Sequence, residues 1–103
     1  MELREIMKLG KQMLLKHKLD DWTFKLNNAK RCFGTCNYKN KTIYISRIIA
    51  KLNSEDEVKD TILHEIAHIL AGKQGHNHIW KEQCLKIGAN PKRDCGKEII
   101  LPR

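Results

Sequence analysis

The sequence predicts an α+β fold with an N-terminal helix, a small antiparallel sheet, a helix that carries an H-E-x-x-H motif, and a following helix. Apolar residues recur at helical spacing near both ends of the chain, and short runs of β-branched and aromatic residues lie between them. A helix-capping sequence separates the sheet region from the motif. Because 103 residues with 41% hydrophobic content suffice for one modest core, we expect residues 1–103 to form a single domain.

The first two elements are a helix and a sheet. Residues 2–18 are predicted as an amphipathic helix whose apolar positions are Leu3, Ile6, Met7, Met13 and Leu14. This helix ends before Asp20 and Asp21. Residues 22–46 are predicted as two or three antiparallel strands, broken at Asn27-Asn28, Gly34 and Asn40.

The second half of the chain is predicted to be helical. Ser54 and Glu57 form a capping box, since the Ser54 hydroxyl can accept an orphan amide while Glu57 reaches back. The acidic residues there suit the positive end of a helix that begins near residue 54 and ends at Gly72. A further helix is expected over residues 77–87, before Gly88.

The motif itself is His64-Glu65-Ile66-Ala67-His68. Residues four apart share a helix face, so His64 and His68 can direct imidazole nitrogens at one ion about 2.0–2.1 Å away. Glu65 lies about 100° around the helix from His64, where a carboxylate reaches a metal-bound water without taking a ligand position. The pattern therefore predicts a zinc hydrolase site in which Glu65 is the general base.

A catalytic zinc usually has three protein ligands, so a third ligand is required. His76 and His78 follow a short polar break and are both available, and Glu82 is a conceivable carboxylate ligand. The extended pattern H-E-x-x-H-x-x-G-x-x-H is excluded because Ala71 and Gln74 stand where it requires Gly and His.

Taken together, these residues resemble the SprT-like metallopeptidases, whose pattern is H-E-x-x-H, a variable spacer and H-x-x-x-[FW]. In that register His76 matches the third zinc ligand and Trp80 the aromatic residue, a packing residue rather than a substrate contact. Upstream, the similar segments are Trp22-Thr23-Phe24, Asn28-Ala29-Lys30-Arg31, Phe33-Gly34-Thr35-Cys36 and Thr42-Ile43-Tyr44-Ile45-Ser46. The resemblance covers roughly residues 3 to 95.

The resemblance implies a zincin-like minimal metalloprotease core with one catalytic Zn²⁺, held by His64, His68 and His76. It implies a zinc-dependent endopeptidase that hydrolyses peptide bonds through a zinc-activated water, and its relative Spartan suggests DNA-associated proteins as substrates. Many relatives carry a C-terminal zinc ribbon with C-x-x-C pairs, whereas the sequence has none. We therefore expect a catalytic core without the ribbon, in a small format similar to phage-encoded SprT-like proteins.

Sequence alone does not rank the groups that would stabilise the oxyanion. The polar candidates are Tyr38, Tyr44, His78 and Arg93.

Charge is distributed unevenly along the chain, whose net charge is +8. Residues 22–53 carry seven Lys or Arg and no acid, whereas residues 54–72 carry one Lys against five acids. A basic surface attracts phosphate backbones without base specificity, which predicts non-specific DNA contact. The candidates are Lys25, Lys30, Arg31, Lys39, Lys41, Arg47, Lys51, Lys92, Arg93 and Lys97. The alternative is a solvated surface with a high pI.

Cysteine usage and hydropathy indicate the compartment. The start of the chain is charged and no run approaches twenty apolar residues, so we expect a cytoplasmic monomer with no membrane contact. In such a compartment the four cysteines are thiols, with a second metal site as the alternative. They are Cys32, Cys36, Cys84 and Cys95.

Two other classes of function remain open. A metal-dependent nuclease fits the basic surface, although a Glu between the histidines argues against it. A non-catalytic, zinc-stabilised nucleic-acid-binding module would make Glu65 incidental.

Overall fold

Residues 2–72 and 78–89 are described by the computed structural model, and this part of the chain forms four helices and three strands. In chain order the elements are α1 (Leu3–Lys16), β1 (Thr23–Asn27), β2 (Gly34–Asn37), β3 (Thr42–Ser46), α2 (Arg47–Leu52), α3 (Glu55–Leu70) and α4 (His78–Ile87). The predicted α+β class is confirmed.

Helix α1 buries the apolar stripe that the sequence predicted, with Ile6 and Leu14 among its buried residues. It ends where Lys18 adopts a left-handed φ of 60°. There the Leu19 amide donates to the Leu14 carbonyl at 2.8 Å, which satisfies one of the last helical carbonyls. The helix predicted over residues 2–18 is therefore present. It ends at Lys16, and the last two predicted residues, His17 and Lys18, form its C-terminal cap.

The sheet has the order β1-β3-β2. Strands β2 and β3 pair antiparallel, with Gly34 opposite Ile45, while β1 and β3 pair parallel, with Thr23 opposite Thr42. The sheet is therefore mixed, and the expectation of a purely antiparallel sheet is wrong for the β1 pairing. The chain reverses direction twice between β1 and β3, so these two strands point the same way once β3 lies beside β1.

Helix α2 follows β3 without a loop and was not predicted from the sequence. Ser46 is its N-cap residue, and its hydroxyl accepts a hydrogen bond from the Ile49 amide at 3.2 Å. The same hydroxyl donates to the Ala29 carbonyl at 2.5 Å, which ties α2 to the segment between β1 and β2.

Helix α3 begins as predicted, because the Ser54 hydroxyl accepts a hydrogen bond of 3.3 Å from the Glu57 amide. It ends at Leu70, and Gly72 then takes a left-handed φ of 72°.

Two apolar clusters hold these elements together. The larger lies between α1, α2, α3 and the inner face of the sheet and contains Ile6, Leu14, Phe24, Phe33, Ile43, Ile45, Ile49, Ala50, Val58, Ile62 and Ile66. The smaller joins α3 to α4 and contains Ala67, Ala71, Trp80, Cys84 and Ala89. None of the helices described is long and apolar enough to cross a membrane.

Candidate active site

Helix α3 carries the three motif residues on the side that faces β2 and α4. His64 is buried, with 5% of its surface exposed, and His68 is half-buried. The spacing of Val58, Ile62, Ile66, Ile69 and Leu70 predicts a helix that buries this apolar face and leaves the histidine face open. The histidine face is instead covered by α4, whose helical pattern the sequence showed but whose docking position it did not.

Trp80 of α4 packs against both imidazoles. Its ring lies edge-on to His64 at a centroid distance of 5.2 Å and is stacked on His68 at 5.4 Å with an interplanar angle of 27°. The Trp80 indole N–H also donates to the His64 carbonyl in a long contact of 3.5 Å. The expected packing role of Trp80 agrees with these contacts, which hold both imidazoles on one side of α3.

A carboxylate lies one turn before the first histidine. Asp60 Oδ2 is 3.4 Å from His64 Nε2. A carboxylate at this distance restricts the orientation of the ring. Sequence reasoning did not select Asp60, although its i−4 spacing from His64 was visible.

Glu65 is a partly buried residue of α3 whose side chain lies beside the edge strand β2. Burial raises the pKa of the Glu65 carboxyl to about 7. A carboxyl group with a pKa near 7 can accept and release a proton with similar ease at neutral pH, which is the property of a general base.

Edge strand β2 supplies the other wall of the Glu65 environment. Gly34, Cys36 and Tyr38 alternate toward α3, the last just beyond the strand end. Burial, followed by the Glu65 charge, raises the pKa of the Cys36 thiol to about 12. Burial, the neighbouring Cys36 and the Glu65 charge all raise the pKa of Tyr38. Both side chains therefore stay protonated near Glu65 at neutral pH.

The oxyanion candidates separate by position. Tyr38 lies on the Glu65 side of the sheet, whereas Tyr44 pairs with Thr35 and so lies on the opposite face from Ile45. His78 is the exposed first residue of α4. Arg93 lies outside the described residues.

Of the three predicted metal ligands, the described residues include His64 and His68. His64 and His68 lie on one side of α3, and two imidazoles on one face suit the nitrogen-donor preference of zinc. Within residues 2–72 and 78–89 no group of three or more His, Cys, Asp or Glu side chains is placed to hold a metal ion. The predicted third ligand, His76, lies outside the described residues.

The basic candidates for DNA contact are spread over the sheet region. Lys25, Lys30, Arg31 and Lys39 are exposed, and Lys25 alternates with the buried Phe24, which places it on the face away from Glu65. Lys41 donates to Asp21 in an exposed 2.8 Å ion pair. Lys25 therefore does not border the Glu65 side of the sheet.

Two solved structures of metallopeptidase zymogens share the fold. The crystal structure of the metallopeptidase zymogen jannalysin of Methanocaldococcus jannaschii matches with a TM-score of 0.69 and 16% identity, over 79% of this chain and 79% of that chain. The zymogen abylysin of Pyrococcus abyssi matches with a TM-score of 0.63 and 17% identity, over 84% and 79%. The α+β fold is thus one that metallopeptidases adopt.

Sequence comparison identifies the family. Residues 3–98 match the SprT-like family, and the chain belongs to it. The uncharacterized protein MJ1213 of Methanocaldococcus jannaschii is 30% identical over 90 residues, which cover 87% of this chain and 76% of that protein. The resemblance seen in the motifs is therefore confirmed.

Proposed function

We propose that the chain is a zinc-dependent endopeptidase in which His64, His68 and His76 hold the ion and Glu65 is the general base. The observation that carries the proposal is the placement of the two motif imidazoles on one side of α3, against Trp80, with the Glu65 side chain beside them facing β2. Burial, which raises the pKa of the Glu65 carboxyl to about 7, suits the role of a base. Membership of the SprT-like family and the fold shared with metallopeptidase zymogens support it.

A zinc ion bound at these imidazoles would lower the pKa of a coordinated water toward neutrality and polarise a peptide carbonyl. Glu65 would take the proton of the attacking water and pass it to the leaving amine as the C–N bond breaks. Asp60 and Trp80 would restrict the His64 ring, and Trp80 would restrict the His68 ring. The protonated Tyr38 hydroxyl is a hydrogen-bond donor on the same side of β2.

The test is a cleavage assay with zinc-reloaded protein, using casein and labelled RNA in parallel. We expect casein to be cleaved and RNA to remain intact. Glu65→Gln should retain zinc and lose about 10²- to 10⁴-fold in casein hydrolysis, the usual contribution of a general acid–base group. Glu82→Gln, the same substitution at an exposed position of α4, is the matched control. RNA cleavage without casein cleavage would favour a nuclease instead, and equal cleavage by Glu65→Gln would remove the proposed base.

We further propose that the substrate is a DNA-associated protein and that the chain makes non-specific DNA contact. Exposed Lys25, Lys30, Arg31 and Lys39 support this through charge alone. Lys30→Ala/Arg31→Ala should weaken binding to labelled duplex DNA and reduce the slope of log affinity against log salt by about two, if each contacts one phosphate. Lys8→Ala/Lys11→Ala on α1 is the charge-matched control. Equal effects of the two pairs would indicate a general charge effect and contradict a contact at Lys30 and Arg31.

A further inference from the structure

Strand β2 and helix α3 approach each other closely at Gly34. A Cβ atom added to Gly34 would lie 2.8 Å from Thr61 Cγ2 and 3.3 Å from Glu65 Cγ. The first distance is shorter than real carbon–carbon contacts, and the second is tighter than most of them. The missing side chain of Gly34 therefore creates the space that Thr61 and Glu65 occupy.

Neither β2 nor α3 can move at this point without disturbing other interactions. On the strand side, Gly34 pairs with Ile45 of β3. The carbonyl of the preceding residue, Phe33, accepts a hydrogen bond of 2.8 Å from the Ser46 amide. On the helix side, Thr61 is 3% exposed, and its hydroxyl donates to the Glu57 carbonyl at 2.9 Å. Rotation of Thr61 away from Gly34 would break this bond in a buried place.

The third contact of the added Cβ can be relieved by a side-chain movement. Ile45 Cδ1 would lie at 3.3 Å, and this atom is the end of a flexible side chain. Relief must therefore come mainly from the two α3 residues. Either α3 moves away from β2 or the Glu65 side chain changes its torsion angles, and both displace the carboxylate.

We infer that Gly34 is a positioning residue for Glu65: its lack of a side chain fixes how closely the general base approaches β2. The inference rests on the proposed function for its catalytic consequence. Gly34 leaves open the space beside the Glu65 stem that a Cβ would enter, and it acts on the reaction only through that carboxylate. A misplacement of about 1 Å in a reacting group can cost about 10²-fold in rate, so a small shift is sufficient.

The test separates packing at Thr61 from placement of Glu65. Thr61→Ser removes the atom in the shortest contact and keeps the hydroxyl that bonds Glu57. We expect Thr61→Ser alone to retain wild-type kcat and KM. Gly34→Ala should lower both the melting temperature and kcat. In Gly34→Ala/Thr61→Ser the melting temperature should return to that of Thr61→Ser, while kcat stays at least about 10-fold lower and KM stays within about twofold.

A second readout does not require turnover. Crystal structures of Thr61→Ser and the double variant should differ in the Glu65 carboxylate position by about 0.5 Å or more. An unmoved carboxylate, a double variant with the kcat of Thr61→Ser, or a double variant that does not fold would each overturn the positioning role. Wild-type protein that binds zinc and cleaves no peptide bond would instead defeat the proposed function, while the carboxylate shift would still be measurable.

Discussion

Within residues 2–72 and 78–89, glycine lets a helix and a strand come close together at two places. In α1, a Cβ added to Gly10 would lie 2.5 Å from ring atoms of Phe24 in β1. In β2, a Cβ added to Gly34 would lie 2.8 Å from Thr61 in α3 and 3.3 Å from Glu65. The first contact involves a ring that is 2% exposed in the main core, and the second involves the candidate base.

In both places a glycine allows a helix to approach a strand closely, but the consequences differ. Gly10 lets α1 cover an aromatic core residue, so its replacement should act on the free energy of unfolding. Gly34 sets the spacing beside an ionisable group, so its replacement should act on the reaction as well. Stability and activity are therefore expected to be separable by position in this small fold.

The largest effect is expected from a substitution that removes a zinc ligand and leaves the α1–β1 contact intact. His68→Ala should abolish stoichiometric zinc binding and lower kcat/KM about 10³-fold or more, because a ligand on α3 is lost. Metal analysis and casein hydrolysis measure these effects. His78→Ala, at the exposed start of α4, is the matched control and should retain both properties. Zinc loss in His78→Ala would contradict the assignment of His76 as third ligand.

The second effect breaks the α1–β1 contact and leaves the site intact. Gly10→Ala forces the Phe24 ring or α1 to move, and overpacking of this kind costs about 1–3 kcal/mol. Urea denaturation should show this loss in the free energy of unfolding. The kcat of the folded fraction should stay at the wild-type value. A Gly10→Ala protein with unchanged stability but reduced kcat would reverse the comparison between the two glycines.

The third effect is a pH dependence that belongs to the Glu65 region alone. Burial raises the folded-state pKa of Glu65 from its ordinary value of 4.5 to about 7, so between these pH values the folded state retains a proton that the unfolded state has released. Stability of the zinc-free protein should therefore fall as pH rises from about 4.5 to about 7, by an amount on the order of 3 kcal/mol.

Glu65→Gln removes this titration and is the control. Denaturation of chelator-treated wild type and Glu65→Gln at a series of pH values would show it as a difference that grows with pH. Parallel pH profiles for the two proteins would contradict a buried carboxyl at Glu65.

The smallest effect is expected at the C-terminal end of α1. Lys18 holds a left-handed φ of 60° at the end of α1, a conformation that costs non-glycine residues about 1–2 kcal/mol. Lys18→Gly should raise the free energy of unfolding by about 0.5–1 kcal/mol, after the greater entropy of the unfolded glycine is counted. Casein hydrolysis should not change. Destabilisation by Lys18→Gly would indicate that the lysine side chain stabilises the cap.

Local patterns were sufficient to predict most of the helical structure. The Ser54 cap, the start of α3 and the apolar stripe of α1 follow from side-chain spacing and short-range hydrogen bonds, and the structure confirms them. Helix α2 was missed because Ile48 and Ile49 continue the apolar run of β3. Ser46 as an N-cap was the available signal.

Long-range placement was the part that the sequence could not supply. The parallel pairing of β1 with β3 depends on which strand lies beside β1, and no local pattern encodes that choice. The motif identified His64, Glu65 and His68, but their burial depends on where α4 and β2 dock. Gly34 in particular looked like a break between strands, whereas it begins β2 at a point where an added Cβ would collide with α3.

A crystal structure of the zinc-loaded protein, with anomalous data collected at the zinc absorption edge, tests the central claim most directly. We expect one anomalous peak about 2.0–2.1 Å from an imidazole nitrogen of each of His64, His68 and His76, with the Glu65 carboxylate outside the ligand set. A peak that lies away from His64 and His68, or one that Glu65 ligates directly, would contradict a zinc site with Glu65 as its general base.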